Sequence, residues 1–208
     1  MIMAFVLCAI GSYLIGGVNG AIILSKLVYK QDIRNYGSKN PGFTNFKRVY
    51  GNGFVSWSVM IIDILKTVLP VLASAVVFHC LFDMWQLASA FSGFFCMLGH
   101  CFPVWYKFKG GKAFIAGFAT TWFVDWRMGL VFLGVFLIML GLFKYMSLAS
   151  CTAALSSPIT LLIIGASSVW VTAICAVSSL LIIARHYQNF IKLAKGTESK
   201  FSLKSQKA

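Results

Sequence analysis

Runs without Asp, Glu, Lys or Arg cover residues 1–25, 67–82, 84–106, 113–124, 128–143 and 145–184. A bilayer core about 30 Å thick takes about 20 apolar residues per helix. The last run, 40 residues long, therefore holds two spans, with a break at Ser156–Pro158 or at Gly165–Ser168. The 67–82 run is too short alone, but it extends back through Phe54–Ile62 if Asp63 and Lys66 are tolerated inside the membrane. The pattern predicts seven helices, at about 2–28, 53–79, 84–101, 112–125, 128–143, 146–164 and 168–187, the fourth barely long enough to span. No basic residue precedes the first run, which also continues past any plausible cleavage site, so it is expected to be a span rather than a signal peptide. The expected fold is all-α and polytopic, one integral membrane domain over 1–208 with a basic tail from about 190.

Composition agrees. The 208 residues are 59% hydrophobic and 11% charged, with mean hydropathy +0.84, where soluble domains run roughly 45–50% apolar and 25% charged. A soluble globule and a disordered chain are both excluded. Lys and Arg number 18 against 5 Asp and Glu, a net charge of +13, and the position of that charge along the chain is informative. One set of loops carries residues 26, 30, 34, 39, 47 and 48, then 107, 109 and 112, then 144, then 185, 192, 195, 200, 204 and 207, which is 16 of the 18 cations. The opposite loops carry Arg127 with Asp83 and Asp125. The positive-inside rule then predicts an outside N-terminus, a cytoplasmic C-terminus and an odd number of spans. The charge becomes a topology signal, and nucleic acid is not an expected partner. Six cysteines, at 8, 80, 96, 101, 151 and 175, show no C-x-x-C spacing and mostly lie in apolar runs, where they pack as small hydrophobes.

Three segments on the cytoplasmic side carry chemistry. In QDIRNYGSKNPGFTNFKRVYGNG (31–53), glycines allow close backbone approach, Ser38, Asn40, Thr44 and Asn45 offer uncharged polar groups, and Arg48 adds charge. This is the composition of an anion cradle, and equally that of a basic loop with turns. In GHCFPVWYKFKGGKAFIAG (99–117), Gly110, Gly111 and Lys112 open an apolar helix whose free amides would favour phosphate, although the Walker A pattern is absent. His100 lies nearby as a candidate acid/base group. In ARHYQNFIKLAKGTESK (184–200), Arg185, His186 and Asn189 stand at the end of the last span, with 186 and 189 on one helical face; they either point toward the same cavity as the other two segments or are the snorkelling anchors that normally follow a final span. Asp63 and Lys66, i and i+3 inside a span, are expected to pair, because an isolated charge there is costly.

These segments, in this order, resemble the motifs of the small bacterial membrane-bound glycerol-3-phosphate acyltransferases that use acyl phosphate. The family pattern D-x-R-x-x-G-S-x-N-x-G-x-T-N-x-x-R is met by Asp32, Arg34, Gly37, Ser38, Asn40, Gly42, Thr44, Asn45 and Arg48. Asp63 with Lys66, and Ser147 in YMSLAS, also fit. The chain departs from the pattern at Lys39 and Ala113, where glycine is common, at Phe43, and at Gly17 and Asn19 of the first span. The resemblance implies acyl transfer from acyl phosphate to the 1-hydroxyl of sn-glycerol 3-phosphate at the cytoplasmic face of the bacterial plasma (inner) membrane. It implies no cofactor and no metal, and a soluble enzyme that makes acyl phosphate as a partner. It suggests Ser38, Lys112, His186 and His100 as catalytic, with Arg48, Asn40, Thr44, Asn45, Gly110, Gly111, Ser147 and Asn189 binding substrate or phosphate.

On the chemistry alone, the expected reaction is one direct step without an acyl-enzyme, since no Ser–His–acid set is evident. The rival reading, a transporter or channel for an anionic phosphorylated metabolite, would place polar residues at the midplane and on both access routes, whereas here they crowd one face. A membrane anchor with a basic tail would leave the Gly, Asn and Ser loops unexplained.

Overall fold

The computed structural model describes residues 1–165 and 167–201, so Lys204 and Lys207 of the expected tail lie outside the described residues. The helices are α1 Ile2–Gly16, α2 Gly20–Tyr29, α3 Phe43–Tyr50, α4 Phe54–Phe82, α5 Trp85–Cys101, α6 Phe114–Val124, α7 Trp126–Phe143, α8 Met146–Ile164, α9 Val169–Arg185 and α10 Tyr187–Ala194, and the described residues contain no strand. Each of the seven predicted segments is helical. Five segments are long and apolar enough to cross a bilayer, six if α9 and α10, bent by 52°, count as one.

The first span is not continuous. Gly17–Asn19 separate α1 from α2, and the Asn19 side chain caps α2 by accepting from Ile22 N at 2.9 Å. Its amide also donates to Pro41 O at 3.1 Å, tying the break to the loop that follows. The break frees the Val18 carbonyl, which accepts from Lys66 Nζ at 2.7 Å. The expected fourth span shrinks to the 11 residues of α6. At 1.5 Å per residue it rises only about 16 Å, roughly half the bilayer core. Its opening turn is thereby free to lie inside the bundle instead of at its rim.

Residues 187–194 form α10, and residues 197–201 return to the bundle, where Phe201 N donates to Lys144 O at 2.6 Å. Side-chain acceptors and donors along this segment pull it inward, as the site below makes plain.

Helix packing relies on small residues, as membrane interfaces do where apolar surface alone does not drive association. A Cβ at Gly99 of α5 would strike the Tyr13 carbonyl of α1, so the two backbones can cross this closely only with glycine there. Asp63, Lys66 and His100 are buried where α1, α4 and α5 meet. Lys66 Nζ lies 2.8 Å from Asp63 Oδ1 and 2.9 Å from His100 Nδ1, in addition to Val18 O.

Removing one partner of a buried ion pair leaves an uncompensated charge, so Lys66→Met is expected to lower stability by about 3–5 kcal/mol. Unfolding by denaturing detergent measures this, and the Asp63→Asn/Lys66→Met double variant should recover most of the loss.

Candidate active site

A cavity of about 470 Å³ opens between the 31–53 loop, the start of α6, and the junction of α9 with α10. Ser38, Asn40, Thr44, Asn45, Arg48, His100, Lys112, Ser147, His186 and Asn189 all line it. Residues far apart in sequence thus share one space, as in the bond from Arg48 Nη2 to Ser199 Oγ at 3.1 Å, 151 positions away.

Local structure explains each placement. Asp32 caps the 3-10 turn Ile33–Asn35 and grips Arg34 through both oxygens, at 2.9 and 2.7 Å, which holds its carboxyl down at about 2. Asn45 works as an internal strut: its Oδ1 accepts from Ser38 N at 2.8 Å and its Nδ2 donates to Tyr36 O at 3.0 Å. The loop's shape therefore comes from side-chain capping, which frees Ser38, Thr44 and Arg48 to face the cavity. Helix α3 buries Phe46 beneath the same loop, against Tyr29 and Tyr50.

The two histidines have opposite roles. An ammonium can only donate, so His100 Nδ1 accepts from Lys66 and the neutral ring carries its proton on Nε2. That nitrogen faces Gly111, where any Cβ would collide with it. His100 is thus held between Lys66 and the glycine turn while it lines the cavity. His186 Nδ1 sits 2.8 Å from Ile182 O, an acceptor only, so its proton is on Nδ1 and its Nε2 lone pair is available on the cavity wall.

Gly110 and Gly111 do not line the cavity. Their amides donate to Cys101 O at 3.2 Å and His100 O at 2.9 Å, so they cannot cradle phosphate as expected. Their role is close approach: a Cβ at Gly110 would strike the His100 carbonyl. The turn instead presents Lys112, whose Nζ donates to Asn189 Oδ1. Burial pushes the Lys112 ammonium down to about 8, with Glu198 partly opposing that shift.

Glu198 was not among the expected site residues. Its Oε1 accepts from Ser147 Oγ at 3.0 Å and Asn189 Nδ2 at 2.7 Å, so the returning C-terminal segment forms a wall of the site. It is the only glutamate in the chain, which was the one available signal. The opposite wall is apolar: Trp57, Met60, Leu133 and Leu140, with Phe114, Phe118, Phe132 and Phe136 packed ring on ring at 4.9–5.5 Å. These aromatics come from α6 and α7, where ordinary apolar periodicity had disguised them as lipid-facing surface.

The family model described as glycerol-3-phosphate acyltransferase matches residues 6–196. The chain belongs to the glycerol-3-phosphate acyltransferase family. A glycerol-3-phosphate acyltransferase of Finegoldia magna is 36% identical over 94% of this chain and 95% of its own length. One from Cupriavidus necator is 37% identical over 98% of this chain and all of its own. The crystal structure of PlsY, an integral membrane glycerol 3-phosphate acyltransferase, in its glycerol 3-phosphate form superimposes with a TM-score of 0.84 at 31% identity, covering 95% of this chain and 96% of that one. Its lysophosphatidic acid form gives 0.81 at 30% identity, with 95% of each chain covered. The membrane location of this acyltransferase chain, with several apolar helices crossing the bilayer, follows from the same match.

Two departures from the family's glycine pattern now have a physical meaning. Lys39 has φ 61° and Ala113 has φ 56°, both left-handed. A side chain in that region costs about 1–2 kcal/mol, which glycine would avoid. Phe43, the third departure, opens α3 and packs on Trp57 at 5.1 Å between ring centroids.

Lys39→Gly is expected to stabilise this acyltransferase by about 0.5–1 kcal/mol, the left-handed penalty less the entropy glycine adds to the unfolded chain. Ala113→Gly should gain less, because it gives up a buried methyl worth about 0.8 kcal/mol. Detergent unfolding of the two variants beside the parent checks both the sign and the order.

Proposed function

We propose that this protein transfers a fatty acyl group from acyl phosphate to the 1-hydroxyl of sn-glycerol 3-phosphate, releasing phosphate and 1-acylglycerol 3-phosphate. The carrying observation is that one cavity joins a cationic, hydrogen-bonding end to an aromatic, apolar end. Such a space suits a phosphorylated, water-soluble acceptor at one end and a lipid chain at the other. Family membership supports the acyltransferase reading over the transporter alternative.

Seven spans with the N-terminus outside, forming one domain in a bacterial plasma membrane, fit the seven apolar helices and the cation asymmetry. The site then faces the cytoplasm. Because α6 is short, Lys112 lies below the rim, where a phosphate can meet a chain still held in the bilayer. A soluble enzyme supplying acyl phosphate would approach from the same side.

In the proposed mechanism, Arg48 and Lys112 offset the charge of two phosphates that would otherwise repel. Asn189 and Ser147, held by Glu198, orient the acceptor, with Asn40 and Thr44 on the facing loop and Ser38 donating toward the carbonyl oxygen as it gains charge. The acceptor hydroxyl attacks the acyl carbon, and the bond from that carbon to the phosphate oxygen breaks. The hydroxyl proton passes to His186 Nε2 or to the departing phosphate. No histidine or carboxylate among the described residues hydrogen-bonds the Ser38 hydroxyl, which favours direct transfer over a covalent acyl-serine. Proximity supplies much of the acceleration, since acyl phosphate is already an activated anhydride.

Purified protein in lipid, given acyl phosphate and labelled glycerol 3-phosphate, should form labelled lysophosphatidate. Arg48→Ala and Lys112→Ala should each lower the rate by about 10²–10³. Full activity in both, or a trapped acyl-Ser38, would overturn this account.

The lowered Lys112 value also sets a pH dependence. Its cationic form, which holds phosphate, is present below about 8 and lost above it. kcat/KM for glycerol 3-phosphate should therefore fall as pH rises through that value. Lys112→Arg, with a cation that does not titrate, should remove the alkaline limb in whatever activity it retains.

A further inference from the structure

Arg185, which the sequence offers beside His186 either as a cavity residue or as an anchor at the end of a span, does not line the cavity. Its guanidinium instead reaches behind the glycine turn, donating from Nε to Gly111 O at 3.0 Å and from Nη2 to Gly110 O at 3.1 Å. It also lies over the Phe102 ring, 5.1 Å from the centroid. One edge of the planar fork thus holds two successive carbonyls, a geometry that an ammonium cannot reproduce.

The turn needs such support. Residues 109–113 belong to no helix, and Ala113 is left-handed. The amides of Gly110 and Gly111 are held by the end of α5, and their carbonyls by Arg185 alone among the described residues. The next residue is Lys112. Its partner Asn189 stands four positions after Arg185, just past the junction of α9 and α10. The same junction therefore supplies both the clamp on the turn and the group the turn's lysine meets.

We propose that Arg185 is a positioning residue for the phosphate end of the site: it sets the place of Lys112 relative to Asn189 without touching substrate. This rests on the reading of Lys112 as a phosphate-binding residue.

The test is steady-state kinetics of Arg185→Ala, Arg185→Lys and Lys112→Ala in lipid, varying glycerol 3-phosphate and acyl phosphate separately, with a thermal unfolding midpoint for each variant. The expected result for Arg185→Lys is a parental midpoint with KM for glycerol 3-phosphate raised on the order of tenfold, kcat changing less, since a displaced binding group weakens binding more than it alters the attacking geometry. Arg185→Ala should show the same split, more strongly. Should Arg185→Ala fail to fold, Arg185→Lys decides alone. A parental KM in a folded Arg185→Lys, or kcat and KM effects that merely track loss of folded protein, overturns the proposal. An unchanged KM in Lys112→Ala overturns the underlying reading of Lys112 instead, which separates the two failures.

Discussion

One ammonium group organises the bundle. Lys66 Nζ hydrogen-bonds the His100 ring on α5 and the Val18 carbonyl at the break between α1 and α2, and it is ion-paired at 2.8 Å with Asp63 Oδ1, one turn away on α4, an oxygen that has no hydrogen-bond partner among the described residues. A lysine in the interior of a membrane protein is costly unless it is paired and hydrogen-bonded. The bond to Val18 requires the first span to break where it does, because an unbroken helix would have spent that carbonyl on its own ladder. The charge and the break therefore require each other.

The active site inherits that arrangement. Lys66 fixes the proton of His100 on Nε2, His100 stands against Gly111, and the glycine turn presents Lys112 to Asn189. Glu198, arriving from the other side, steadies Asn189 and Ser147. Supporting groups lie beneath and behind the cavity while the groups facing it remain few, an arrangement suited to chemistry in which placement and charge matter more than a strong base. The apolar wall of α6 and α7 completes the space.

Much of this was legible from residues alone. The helix positions follow from the bilayer's demand for apolar length, and the Asp63–Lys66 pair from the cost of lone charges. Ser38, Arg48, Lys112, His186 and Asn189 stood out because polar and cationic side chains interrupt the apolar pattern on one side of the membrane. Glu198 did not, and the role of Arg185 stayed open, since a charged residue after a last span is indistinguishable in sequence from one that only anchors the helix end. The phenylalanines of the apolar wall were hidden for the converse reason: an aromatic facing a substrate chain and one facing lipid obey the same hydropathy.

By itself, then, the sequence determined that the chain is helical, lies in a membrane, gathers most of its cations in alternate connections between apolar runs and resembles an acyltransferase. Each of these depends on composition, local periodicity or short motifs, which do not require knowing what touches what. Tertiary structure alone decided that the glycine amides are spent on α5, that His100 supports while His186 keeps a free nitrogen, and that the end of the described chain returns to wall the cavity. Those outcomes depend on which donor meets which acceptor across tens of residues, and hydrogen bonds of that range leave no periodic trace in a sequence.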